Sequence, residues 1–189
     1  KKEPLYYTNL AHLYSSQHRF QEVENIANTA VKLGIANHLT YLLMGKAQVM
    51  QGKTYEAINT FKHLIQKNSN DINSHIFLIN LLLQANQVKE AEETLKTISS
   101  SIPDNLELKC LTEKIKFKNG DKESAIKFIQ NTLNSNPTDA STYLKLGNLC
   151  IEIEDHTTAI ELLEKYLEIS PDNANVIATI ATCYARLGR

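Results

Sequence analysis

Six histidines, three cysteines and a few neighbouring carboxylates are the side chains of this sequence best suited to chemistry. Histidine can ligate a metal or carry a proton near neutral pH. However, His12, His18, His38, His63, His75 and His156 form no HExxH arrangement and no grouping with Cys or Asp at metal-ligand spacing. His75 reads as a packed histidine. Cys110, Cys150 and Cys183 are odd in number and include no CxxC pair, so they define neither a disulfide framework nor a zinc site. They read as small apolar residues in helix packing. Glu92-Glu93 and the Glu22/Glu24 pair have the residue types of an acid–base couple, but they read as solvated charge. No GxSxG, Walker loop or GxGxxG is present. The chemistry-bearing residues therefore predict no enzyme, no metal and no cofactor, and the question passes to binding.

Composition narrows the partner. Among 189 residues, 20 Lys+Arg stand against 21 Asp+Glu, a formal charge of −1. A protein that binds nucleic acid through phosphate neutralisation carries a basic excess, and neither the total nor any local run supplies one. No apolar run approaches the roughly 18 residues of a membrane span. The N-terminal KKEPLYYTNLAHLYSSQ has a basic start without an apolar core or a small-residue cleavage site, so it is not a signal peptide. Because the chain begins at Lys1, it is expected to be a fragment of a longer protein, and its compartment stays open between cytoplasm and periplasm. Frequent Asn, Lys and Ile point to a gene of low GC content, and the absence of eukaryotic-style insertions makes a bacterial source the expectation. Only 6 Gly and 4 Pro disfavour an all-β design with many tight turns and favour long helices.

Those helices repeat. Ala57, Ala91, Ala125 and Ala159 fall at intervals of 34 residues, in YEAINTF, KEAEETL, ESAIKFI and TTAIELL, with Val23 in QEVENIA extending the series backwards. Pro103, Pro137 and Pro171 keep the same spacing, as do the large-then-small pairs Leu10-Ala11, Met44-Gly45, Leu146-Gly147 and Ile180-Ala181. Within a unit, Tyr143, Leu146, Leu149 and Cys150 mark one amphipathic helix, and Ala159, Leu162, Leu163, Tyr166 and Leu167 a second. Small residues at Gly45, Gly147, Ala57 and Ala159 let the two helices approach closely. Proline stops the second helix, and Gly52, Gly120 and Gly188 can close the turn after the first. One such hairpin cannot bury its own apolar face, whereas stacked neighbours can.

YLKLGNLCIEIEDHTTAIELLEKYLEISP resembles the tetratricopeptide repeat (TPR) pattern of aromatic, Leu-Gly, turn, Ala, large apolar residue and Pro. The resemblance implies an all-α, right-handed α-α superhelical solenoid. It would form a single array with repeats 4–37, 38–71, 72–105, 106–139 and 140–173, and the first helix of a sixth at 174–189. Repeat four breaks the pattern, since strict spacing would bury Lys109, Thr112, Glu113 and Lys116. A shift of one residue places Leu108, Leu111 and Ile115 inward instead. The expectation is one residue deleted after Pro103 and one added in FKNGD.

In the family the first helices line a concave groove. With the shift in repeat four, the resemblance assigns a peptide-binding groove to Leu39, Leu42, Lys46, Val49, Asn73, Ile76, Asn80, Leu83, Lys109, Glu113, Leu144, Asn148 and Ile151. Two apolar ridges result, with a charged break at Lys109, Glu113 and Lys116. That pattern suits an amphipathic helix or an extended peptide with apolar anchors, and Asn80 and Asn148 are able to bond its backbone. Chaperone-docking members hold a C-terminal carboxylate with Lys, Asn and Arg. The matching positions here carry Thr8, His12, Leu43, Asn73 and Phe77, so no such clamp is expected.

The function expected is a non-enzymatic interaction scaffold for a protein or peptide partner in the assembly of a multiprotein complex. Two alternatives stay open: the substrate-presenting arm of a larger glycosyltransferase or sulfotransferase, and a homodimer or higher oligomer. The last would form through the exposed terminal helix, with Ile177, Ile180 and Tyr184 partly uncovered.

Overall fold

The computed structural model describes residues 3–189. Among them are eleven α-helices and no strand: α1 Pro4–Ser16, α2 Phe20–Lys32, α3 His38–Met50, α4 Thr54–Lys67, α5 Ile72–Gln84, α6 Val88–Ser101, α7 Leu106–Lys118, α8 Lys122–Asn134, α9 Ala140–Glu152, α10 His156–Ile169 and α11 Ala174–Arg186. The chain divides into two compact units, residues 1–101 and 102–189.

Local chemistry sets both ends of the first helices. Asn37, Asp71, Asn105, Asp139 and Asn173 each cap a helix, the side-chain oxygen accepting from the N–H three residues on, in Thr40, Ser74, Leu108, Thr142 and Val176. At the other end, His18, Gly52, Asn86, Gly120, Glu154 and Gly188 adopt left-handed backbone angles. The N–H after each then reaches back five residues, as in Lys53 N–H to the Gln48 carbonyl at 2.9 Å and Asp155 N–H to Cys150 at 2.8 Å. Both devices recur every 34 residues, so the period seen in the amino acids is also a period of the backbone.

In the first unit, Phe61, Leu64, Leu78, Ile79, Leu82 and Ile98 are buried, and the Phe61 and Phe77 rings stack with centroids 5.2 Å apart. Gly45 is what lets α3 lie on α4, because a Cβ there would sit 2.9 Å from the Phe61 ring. A polar ladder pins α3 to α2 on one side and to α4 on the other. Lys53 Nζ donates to Glu24 Oε2 at 2.6 Å, Gln48 and Gln51 also donate to that carboxylate, and Thr60 Oγ1 donates to Gln48 Oε1 at 2.8 Å. Glu24 is thus not the solvated charge expected, since its side chain is only 12% exposed. Three donors from α3 and the turn after it replace its water.

The second unit is built around Leu146, Leu149, Cys150, Ile153, Ala159, Leu162, Leu163, Val176, Ile180 and Cys183, joined by Cys110, Ala125 and Ile129 from α7 and α8. Helix α7 corrects one expectation. Leu108, Leu111 and Ile115 are indeed buried and Lys109 is exposed, but no residue is deleted or added. The Asn105 cap and the left-handed Gly120 both stand on the strict 34-residue spacing. In that register Thr40, Ser74 and Thr142, equivalent to Leu108, are also buried, and so are Ala47, Leu81 and Leu149, equivalent to Ile115. Glu113 therefore stays inside, 6% exposed, where other repeats hold Ala11, Gly45, Ile79 and Gly147. Its carboxylate accepts from Ser124 Oγ at 2.7 Å and from Lys116 Nζ at 2.8 Å, which offsets the desolvation cost that argued against it.

Candidate functional site

The groove positions are best described unit by unit. In the first unit they lie on α3 and α5, which like α1 contain no Asp or Glu, and Lys46 is the one formally charged side chain of these three helices. Leu39 is 43% exposed, Leu42, Val49 and Ile76 are half-buried, and Asn73 is exposed. The Lys46 ammonium lies 5.1 Å from the centroid of the Phe77 ring. Asn80 is half-buried, and its amide donates to the Ile76 carbonyl at 3.0 Å. Leu83 must be withdrawn, because it is only 4% exposed. Helix α5 buries Leu78, Ile79, Leu81, Leu82 and Leu83 together, which leaves Asn73, Ile76 and Asn80, and not Leu83, on its partly open side.

In the second unit Leu144 and Ile151 are half-buried and Asn148 is exposed. Leu144 and Asn148 line a hollow of about 420 Å³ with Glu107, Ser141, Lys145 and Tyr166 around it. Ile151 belongs to a wider hollow of about 830 Å³, with Glu152, His156, Thr179, Thr182 and Arg186. Lys109 and Glu113 do not join either one. Lys109 pairs with Asp104 at 3.2 Å, and Glu113 is enclosed by Ser124 and Lys116. Since α7 keeps the strict register, its residues at the groove positions are Glu107, Cys110, Lys114 and Phe117. Glu107 was therefore missed, and the in-register Asn105 cap was the signal that could have found it.

A third hollow, of about 390 Å³, lies in the first unit against Val31, Asn37, His38, Tyr41, His63 and Lys67. The Tyr41 and His63 rings meet at 4.6 Å, and His38 Nε2 approaches Asp71 Oδ2 at 3.2 Å. Nothing in the sequence linked Tyr41 to His63.

Burial pushes the Cys110 and Cys150 thiols up to about 12 and raises Cys183 as well, so none is a thiolate nucleophile at neutral pH. Among the described residues no three His, Cys, Asp or Glu side chains gather as a metal site. No described helix is long and apolar enough to cross a membrane. On α11, Ile177 is 52% exposed and Tyr184 half-buried, while Ile180 is covered, 9% exposed, contrary to the expectation for that residue.

No curated protein matches the sequence. Several solved structures share the fold. The thermophilic TPR protein TTC0263 of Thermus thermophilus superposes with a TM-score of 0.71 at 14% identity, over 96% of this chain and 99% of that one. MamA (41-end) of Desulfovibrio magneticus RS-1 gives 0.63 at 18% identity, over 92% and 98%. YrrB, described as a TPR protein with an unusual peptide-binding site, gives 0.57 at 20% identity, over 92% and 89%. Family models described as tetratricopeptide repeat match residues 48–115 and 140–173. The all-α stack of capped hairpins and these matches agree, and the chain belongs to the tetratricopeptide repeat family.

Proposed function

We propose that this chain is a non-enzymatic protein-interaction scaffold that binds a partner peptide or helix along its first helices, in the assembly of a multiprotein complex. The observation that carries this reading is the apolar row Leu39, Leu42, Val49 and Ile76, which is left partly open to solvent on helices free of carboxylates. Open apolar surface beside amides such as Asn73 suits a segment that brings its own apolar anchors and an unpaired backbone. The hollow beside Leu144 and Asn148 offers a second contact of the same kind. YrrB's peptide-binding site supports the reading only as an analogy between folds. The balanced charge supports a protein partner over a nucleic acid. In the same proposal, residues 4–189 form one array of five repeats and a half.

Selecting peptides from a random displayed library on the chain tests it. Leu42→Ala and Ile76→Ala should each weaken the selected peptide by more than about 1 kcal/mol if they are central anchors. Unchanged affinity in both variants would overturn the assignment. A second reading, self-association through α11, rests on the 52% exposure of Ile177. Light scattering that finds a monomer at every concentration would remove it.

A further inference from the structure

The first unit's groove has an unusual charge distribution, and it specifies the partner further than an apolar row does. This inference rests on the groove reading above. Acidic residues of that unit sit on the second helices, with Glu22 and Glu24 on α2, Glu56 on α4, and Glu90, Glu92 and Glu93 on α6, or at a helix cap, as Asp71 does. The facing first helices hold none, and Lys46 is their lone formal charge. Two other lysines of the unit are paired with carboxylates, Lys53 with Glu24 and Lys62 with Glu90. Lys46 makes no ion pair among the described residues, and instead its ammonium is held over the face of Phe77. The ring quadrupole attracts and orients the cation without neutralising it, so the charge remains available to an incoming anion. Leu42, Val49 and Ile76 lie within a turn of Lys46 or on the neighbouring first helix, and they provide partly desolvated surface on which a charge-assisted hydrogen bond is stronger than in open water.

We propose that the first unit's groove recognises an apolar peptide segment carrying one carboxylate side chain, received by Lys46, with apolar residues on either side seated on Leu42, Val49 and Ile76. One acid is the complement of this surface. A second carboxylate would meet no further lysine or arginine on these helices, and a basic residue at the same place would face Lys46 directly.

The test selects peptides from a random displayed library on the 189-residue chain, then on Lys46→Glu. It measures the winning peptide and its Asp→Asn or Glu→Gln form by fluorescence anisotropy. The expected result is enrichment of a single Asp or Glu between apolar residues. Affinity should fall about three- to tenfold with Lys46→Ala and fall no further when the peptide acid is also neutralised. Selection on Lys46→Glu should enrich Lys or Arg at that place. Peptides that lose affinity with Leu42→Ala yet show no acid preference, and no response to Lys46→Glu, would overturn this inference and leave the groove reading standing. Peptides indifferent to both Leu42→Ala and Ile76→Ala, or none selected at all, would remove the groove reading and this inference with it.

Discussion

Glu24, half-buried, and Glu113, buried, are carboxylates held by different partners. Burial by itself would raise the Glu24 carboxyl, but hydrogen bonds from Lys53, Gln48 and Gln51 outweigh it and hold the group below the usual carboxylate range. A depressed folded-state value means that the stabilisation is full above the unfolded-state value of about 4.3, and is lost as pH falls through the lower folded-state one. Glu24→Gln should therefore cost about 1–2 kcal/mol at pH 7, and the difference from the parent chain should shrink in melts taken toward pH 3. A constant difference across that range would mean that the carboxylate charge contributes nothing. Neither environment was legible in the sequence, because the donors to Glu24 come from α3 and its turn, more than twenty positions away, and Ser124 reaches Glu113 from the next helix. The cysteines were legible, since an unpaired Cys on an apolar face has one ordinary fate. With Cys110 and Cys150 raised to about 12, alkylation by iodoacetamide at pH 8 should be slow in the native chain and complete after denaturation. Rapid native labelling of either would contradict their burial.

At the scale of the helix pair, two kinds of position decide whether the hairpin closes. Turns after the first helices need a left-handed residue, and the third and fifth repeats use Asn86 and Glu154 where the second and fourth use glycine. Glutamate gains nothing in that conformation to offset the contact of its Cβ with the backbone. Glu154→Gly should stabilise the chain by about 0.5–1 kcal/mol, the gain being reduced by the greater freedom of glycine in the unfolded chain. Denaturant titration reads it as a raised midpoint at unchanged slope. The close approach of α9 and α10 works in the other direction. A Cβ on Gly147 would lie 2.8 Å from Leu163 Cδ2, and Leu163 is fully buried. Gly147→Ala should lose about 1–2 kcal/mol net, overpacking exceeding the gain in helix propensity. Period, helix type and small contact residues were all readable here because each is imposed locally. The register of α7 was misjudged for the opposite reason. Burying Glu113 looked prohibitive until its partners, Ser124 on the facing helix and Lys116 on its own, were known, whereas the Asn105 cap had kept the spacing all along.

Over the whole molecule, stability is distributed in the way a repeat array requires. Within each unit neighbouring helices pack together, as α2 with α3, α4 with α5, α7 with α9 and α10 with α11. The chain consequently has two compact units, each with its own buried set, instead of one central core. What the sequence left hidden at this scale was which open apolar residues stay open. Leu83 and Leu39 look alike in a groove assignment, but only the packing of all the leucines on α5 separates them. In such an array, local damage should lower protection nearby more than far away, because the free energy is close to a sum over repeats and their interfaces. Gly45→Ala and Gly147→Ala introduce the same added methyl group, against Phe61 in one unit and Leu163 in the other. Native-state hydrogen exchange should find amides of α3 and α4 exchanging faster in the first variant and those of α9 and α10 in the second, each leaving the other unit nearer its original rates. Equal loss of protection in both units from either variant would show that the chain opens as one cooperative body, and would end the description of its stability as a sum of repeats.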